Sequence, residues 1–296
     1  KDKGKKQKVN LRKGFKAGPM FLQIWDKIKF HTKYSVNYET AELITLAAKA
    51  VKDMDETKKP SIRSTKKKVV ITDEGIEGQL LSDSGKDDYN YHIDMPDMLG
   101  YIQSKTELTR STILEIIKKS GRIAEVLINP QLFMDNIVSS IRQVLYALMI
   151  EGIKYEKIGG KIYEMKLFDD NELEIYVDKF THTVLQPGKT IYENLIPLQS
   201  DVESEFAKDC ESSENIEFYF KLPFWFKIQT PIGPYNPDWA IVFKDEKKIY
   251  FVAETKSAGQ ELRGSEKLKI KCGKEHFNEF DDVVYKRVAT VSELSK

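Results

Sequence analysis

Apolar positions recur in two rhythms along the chain, and the change from one to the other predicts its organisation. In TAELITLAAKAVKDM, Leu43, Ala47, Ala50, Val51 and Met54 share one face at helical spacing. Between Pro96 and Met149 the rhythm stays helical. It runs through DMLGYIQSK, then TRSTILEIIKKSGR with Thr109 placed to cap it, then PQLFMDNIVSSIRQVLYALM opening on Pro130. The first two of these admit a helix-turn-helix across TELT, although two short helices and a turn serve packing more often than groove reading. Strand-like segments lie at KYSVNY (33–38) and KVVIT (68–72), with a polar loop at SDSGKDDYN. IKYEKIGGKIYEMKLF predicts a hairpin turning on Gly159-Gly160, since glycine tolerates the positive φ of a two-residue primed turn.

After PLQSDVESEFAKDC the period shortens. Ser200 and Glu203 have capping-box spacing, and Val202, Phe206 and Cys210 follow on one helical face. IEFYFKL, FWFKIQ, DWAIVF and IYFVAETK predict four successive strands, a helix covers about 264–280, and VVYKRV predicts a fifth strand. This places a domain boundary near 197, dividing a mixed α/β domain with a helical middle (1–196) from a smaller α/β domain (197–296).

The 296 residues suffice for two such domains, and Lys+Arg 47 against Asp+Glu 46 leaves a net charge of +1. Any charged partner must therefore be attracted by local patches. The two cysteines, Cys210 and Cys272, lie far apart without metal-ligand spacing, which suits a reducing compartment. No apolar run is long enough for a membrane helix and no signal-peptide pattern opens the chain, so the expectation is a soluble cytoplasmic protein. The chain opens on Lys1 in KDKGKKQKVNLRKGFK, which reads as a piece of something longer beginning in a basic, solvated tail. A GKT at Gly188–Thr190 lacks the upstream glycine of a P-loop, Thr183 standing in its place, so ATP binding within the chain is not expected.

The stretch NPDWAIVFKDEKKIYFVAETKSAG carries charge inside apolar strands. If DWAIVF and IYFVAETK pair around Lys244–Lys248, Asp238 stands opposite Glu254, within reach of a shared cation. Alternation puts Lys256 on the face of Glu254. Two desolvated carboxylates repel, so a retained proton, a lysine or a metal must compensate. An all-oxygen site with few protein ligands favours Mg²⁺, and Mg²⁺ with a phosphate and a lysine-oriented water is the chemistry of phosphodiester hydrolysis. The plainer account is a strand-end salt bridge, and a second Glu-Thr-Lys at 56–58 shows that the tripeptide alone is weak evidence.

These residues carry a family resemblance. Asp238, followed by Glu254-x-Lys256 among a capped helix, strands, a helix and a strand, resembles a PD-(D/E)xK nuclease core. TPIGPYNPDWAIVF, YFVAETK and LRGSEKLKIKCGKEHF resemble the C-terminal endonuclease domain of the Res subunit of type III restriction enzymes, and upstream segments such as FLQIWDKIKFHTKY and EGIKYEKIGGKIYE resemble its helicase-associated connecting region. The resemblance implies a restriction-endonuclease-like αβββαβ core and Mg²⁺-dependent cleavage of double-stranded DNA. It implies Asp238 and Glu254 as metal ligands, joined by the Thr255 carbonyl and by Glu203, with Lys256 orienting the attacking water. It also implies an ATP-driven motor outside this chain and a methyltransferase (Mod) subunit as partner. Glu203 reads equally well as the capping-box partner of Ser200.

Past the site, Lys267, Lys271 and Lys274 fall on one helical face with Arg263 nearby, which suits a DNA backbone and equally suits a solvated helix. His276, beside Phe277 and Phe280, reads as a packed histidine. Two other functions fit the same residues: a PD-(D/E)xK nuclease of a repair or mobile-element system, and a catalytically silent module that docks DNA or a partner.

Overall fold

The computed structural model describes residues 6–62, 65–72, 75–83, 87–88, 96–170, 173–176, 181–244, 250–256 and 264–294. Contacts divide the chain into two compact units, one of Lys1–Asn37 with Met149–Lys296 and one of Tyr38–Leu148. The point near 197 expected as a boundary lies inside the first unit, because the N-terminal helix Pro19–Ile28 packs on the C-terminal sheet: Phe21 meets Phe220 at 5.5 Å between ring centroids. Ile24, Trp25 and Ile28 are fully buried, so this amphipathic helix has no solvated alternative without exposing its apolar face.

In the second unit the helix Thr40–Asp53 buries Leu43, Ile44, Ala47, Ala48 and Val51, a broader face than expected, with Ala50 and Met54 half-buried. Thr109 caps the helix Arg110–Ser120 by accepting from the Thr112 N–H at 3.3 Å. That helix buries Ile113, Ile116 and Ile117 and packs on Thr40–Asp53. Arg122 donates to the carbonyls of Val51, Met54 and Asp55, closing the end of the helix Thr40–Asp53. Its guanidinium holds the Glu125 carboxyl down at about 2.

In the first unit, the last third of the chain runs α1 (Asp201–Ser212), β1 (Ile216–Lys221), β2 (Trp239–Phe243), β3 (Tyr250–Thr255), α2 (Gly264–Phe277) and β4 (Val283–Val288). The strands form one sheet in the order β1-β2-β3-β4, antiparallel except for the parallel pair β3-β4. A parallel neighbour needs a crossover connection, and α2 is that crossover. The buried faces are aromatic: Trp239 lies 5.6 Å from Phe206 of α1 and 6.2 Å from Tyr219 of β1. All four residues Trp239–Val242 are fully buried, as expected for a strand covered on both faces.

Two expected elements are different. FWFKIQ is not a strand of the sheet. It belongs to a long loop after β1 in which Trp225 and Phe226 turn onto Trp25, and its only described pairing is the bridge Ile228↔Tyr235. The expected hairpin at Gly159-Gly160 is instead one strand, Lys154–Ile162, paired antiparallel with Phe30–Ser35. Its register shifts between Phe30↔Ile162 and Thr32↔Lys157, so the glycines form a bulge, with Gly160 at φ 73°. The basic N-terminus is in part a strand, Lys6–Val9 pairing with Leu173–Tyr176. Lys189 of the GKT tripeptide donates to the carbonyls of Glu211 and Ser213 at the end of α1, a structural task.

Candidate active site

The register between β2 and β3 sets the site. Trp239 pairs with Ala253 and Ala240 with Val252, so the next position along places Asp238 opposite Glu254, the register expected from pairing the two segments around Lys244–Lys248. The Asp238 main-chain carbonyl accepts from the Leu222 N–H at 2.8 Å, which ties this end of β2 to β1. Its side chain is held by Thr255, whose N–H and hydroxyl both donate to Oδ2 at 2.8 Å. Lys256 is anchored by its N–H to the Val288 carbonyl of β4 at 3.1 Å, and its ammonium lies 3.3 Å from Glu254 Oε1 and 3.7 Å from Glu266 Oε1.

Glu254 is the electrostatic focus. It is 6 % exposed, and burial together with the charge of Asp238 pushes its carboxyl up to about 7. Tyr235 and Lys256 oppose that rise. The Tyr235 hydroxyl donates to Oε2 at 2.6 Å, and Tyr285 bonds to the same hydroxyl. Burial opposes the charge of Lys256, but Glu254, Asp238 and Glu266 together hold its pKa above the ordinary value.

Each carboxylate thus spends one oxygen on fixed donors and turns the other toward a lysine. Asp238 Oδ2 takes Thr255 while Oδ1 lies 3.9 Å from Lys221; Glu254 Oε2 takes Tyr235 while Oε1 faces Lys256. The lysine-facing oxygens are the ones a divalent cation could take. Among the described residues no three His, Cys, Asp or Glu side chains gather as a metal set. A two-carboxylate oxygen site still fits Mg²⁺, which commonly binds one or two carboxylates, waters and a substrate phosphate.

Glu203 stands elsewhere in this arrangement. Its N–H donates to Ser200 Oγ at 3.2 Å, while Oε2 accepts from the Gln199 N–H at 2.9 Å and pairs with Lys221. The capping box therefore forms with its return bond one residue early. Lys221, which links Glu203 to Asp238, was not anticipated, and neither were Tyr235, Tyr285 and Glu266. Lys221 sits at the end of β1 over the Trp239 ring, 5.6 Å from its centroid.

On α2, Lys267, Lys271 and Lys274 are exposed while Cys272, Gly273, His276 and Phe277 are buried, so the basic face points to solvent. Arg263 lies outside the described residues. His276 is packed as expected, its Nδ1 2.9 Å from the Thr32 hydroxyl and its pKa pushed down to about 3 by burial. The other Glu-Thr-Lys follows the helix Thr40–Asp53, with Glu56 and Lys58 exposed and the Thr57 N–H bonded to Glu125 at 3.0 Å. A buried histidine pair, His182 Nε2 to Glu211 Oε2 at 2.7 Å, was also missed; Glu211 there accepts from the N–H groups of Leu185 and Gln186 and clamps a loop.

No helix of the described residues is long and apolar enough to cross a membrane. No curated protein and no solved structure matches the chain. Residues 188–291, which contain Glu203, Asp238, Glu254, Lys256 and the lysine face of α2, match the family model of an endonuclease domain, and this supports a restriction-endonuclease-like nuclease domain with DNA as its substrate.

Proposed function

We propose that this chain is the C-terminal portion of a type III restriction enzyme Res subunit, with residues 197–296 as the PD-(D/E)xK nuclease core and 1–196 as a helicase-associated connecting region. It hydrolyses phosphodiester bonds of double-stranded DNA with Mg²⁺. The observation that carries this reading is the pair Asp238–Glu254, held opposite one another with Lys256 at 3.3 Å from Glu254, inside the segment that matches an endonuclease domain.

Asp238 and Glu254, with the Thr255 carbonyl, are the groups that would hold the ion. When bound, Mg²⁺ supplies positive charge to the scissile phosphate and acidifies a water. The protein does the rest. Thr255 and Tyr235 fix the two carboxylates before anything binds, so little reorganisation is left for the reaction. Lys256, kept charged by three carboxylates, orients the attacking water and offsets charge on the phosphate. Glu266 limits the freedom of that ammonium, and Lys267, Lys271 and Lys274 of α2 hold the DNA backbone without reading sequence. Glu203 would add to the ion's ligands only if Lys221, which now pairs with it, gave way. The motor that uses ATP and the Mod subunit that recognises sequence belong to other parts of the system, which acts in the cytoplasm.

Nicking of plasmid DNA by the purified chain, with and without Mg²⁺ or Mn²⁺, tests the reading. Asp238→Ala should abolish both metal binding and nicking, whereas Lys256→Ala should bind metal normally and not cut. Unchanged nicking by both variants would remove the assignment. Metal affinity unaffected by Asp238→Ala would favour a silent docking module.

A further inference from the structure

An apolar cavity of about 560 Å³ within the first unit is lined in part by Lys221 and Asn236, the first 3.9 Å from Asp238 Oδ1 and the second two residues before Asp238 in the chain, and the nuclease chemistry leaves it unused. Its wall is aromatic and stiff. Trp225 is set edge-on against Phe168, with 4.9 Å between ring centroids and 84° between planes, and is backed at 6.0 Å by the fully buried Trp25. Phe224 stands at the edge and is 60 % exposed, a large apolar surface left to water.

The polar residues lining the cavity are those that tie it to the metal site. Lys221 contacts Asp238 and Glu203. The main-chain N–H of Gln199 donates to Glu203 at 2.9 Å. The Asn236 amide donates to the carbonyls of Pro223 and Phe226 at 3.2 and 2.8 Å, which pins the loop bearing Phe224 and Trp225 two residues from Asp238. Aromatic walls match the π-face of a planar ring, and the exposed Gln199 side-chain amide matches its polar edge.

We propose that this cavity receives one unpaired nucleobase of the DNA strand, next to the scissile phosphate. Resting as it does on the nuclease reading above, this names the substrate more closely: DNA with a single-stranded or frayed nucleotide at the cleavage position. A base in an intact duplex cannot enter without leaving its stack. Phe224 stacks on the entering base, and Trp225 holds the wall against which it lies.

Binding of the full chain to a single-stranded oligonucleotide carrying 2-aminopurine, measured without divalent ions, tests this independently of hydrolysis. The expected result is quenched fluorescence on binding and an affinity lowered about tenfold by Phe224→Ala, with Phe224→Trp restoring it. A blunt duplex of the same sequence should lose less than about twofold in the same variant. Phe224 is mostly exposed, so the variants should keep the wild-type melting temperature. Absence of single-strand binding, or a Phe224→Ala effect that is nil or equal on both substrates, overturns the base pocket. A wild-type chain that never cuts in Mg²⁺ or Mn²⁺ but shows the Phe224-dependent binding would overturn the nuclease reading alone.

Discussion

Tyr235 reaches Glu254 from a loop rather than from the sheet, and its hydroxyl donates to Oε2 at 2.6 Å. The turn that delivers it is closed by the Gly233 N–H on the Thr230 carbonyl at 3.2 Å, with Gly233 at φ 96°. Its ring also needs Gly273 of α2, because a Cβ there would lie 2.6 Å from Tyr235 Cε1. A hydrogen bond to a buried carboxylate favours the ionised form that binds cations. Tyr235→Phe should therefore weaken Mn²⁺ binding about tenfold at pH 7, with a smaller deficit at pH 9. Titration calorimetry at the two pH values measures it, and equal affinity to wild type would show that the bond does not prepare the site.

The raised pKa of Glu254 has a definite sign in stability. Its folded value of about 7 exceeds the ordinary 4.5, so the metal-free fold holds a proton that the unfolded chain has released. Stability from this group is complete below about pH 4.5 and is lost as pH rises toward 7, by on the order of 3 kcal/mol. Urea midpoints of the metal-free chain should fall across that window, and Glu254→Gln should flatten the fall while abolishing cleavage. Metal affinity should rise over the same range, since ion and proton compete for one carboxylate. A Glu254→Gln profile parallel to wild type would contradict this.

Lys221 fills the place between Glu203 and Asp238 with an internal cation whose side chain is only 12 % exposed. Removing it strands buried carboxylate charge, a loss of about 3 kcal/mol. Lys221→Met should thus melt well below wild type without metal, and added Mn²⁺ should raise its melting temperature by more than it raises the wild type's. An equal Mn²⁺ shift in both proteins would place Glu203 outside the metal's reach.

The opposition of Asp238 and Glu254 was legible because two apolar runs flanking a short connection pair in few registers, and the length of that connection sets which residues face each other. The helix after Ser200 was legible from its cap. Lys221 was not, because a lysine ending a strand has the same local signature whether it meets solvent or carboxylates. Tyr235 was hidden for a related reason: its position depends on a loop anchored by aromatic contacts to Trp25, far away in sequence. The glycine pair at 159–160 misled because a bulge and a primed turn both want positive φ, and the partner that decides, Phe30–Ser35, is not a sequence neighbour.

The most direct measurement is a crystal of the chain soaked in Mn²⁺ and recorded at the manganese edge. An anomalous peak bonded to Asp238 Oδ1 and Glu254 Oε1 is expected, with the Lys221 ammonium displaced from Asp238. A peak that leaves these oxygens on their lysines, or no peak near them at saturating Mn²⁺, would contradict it.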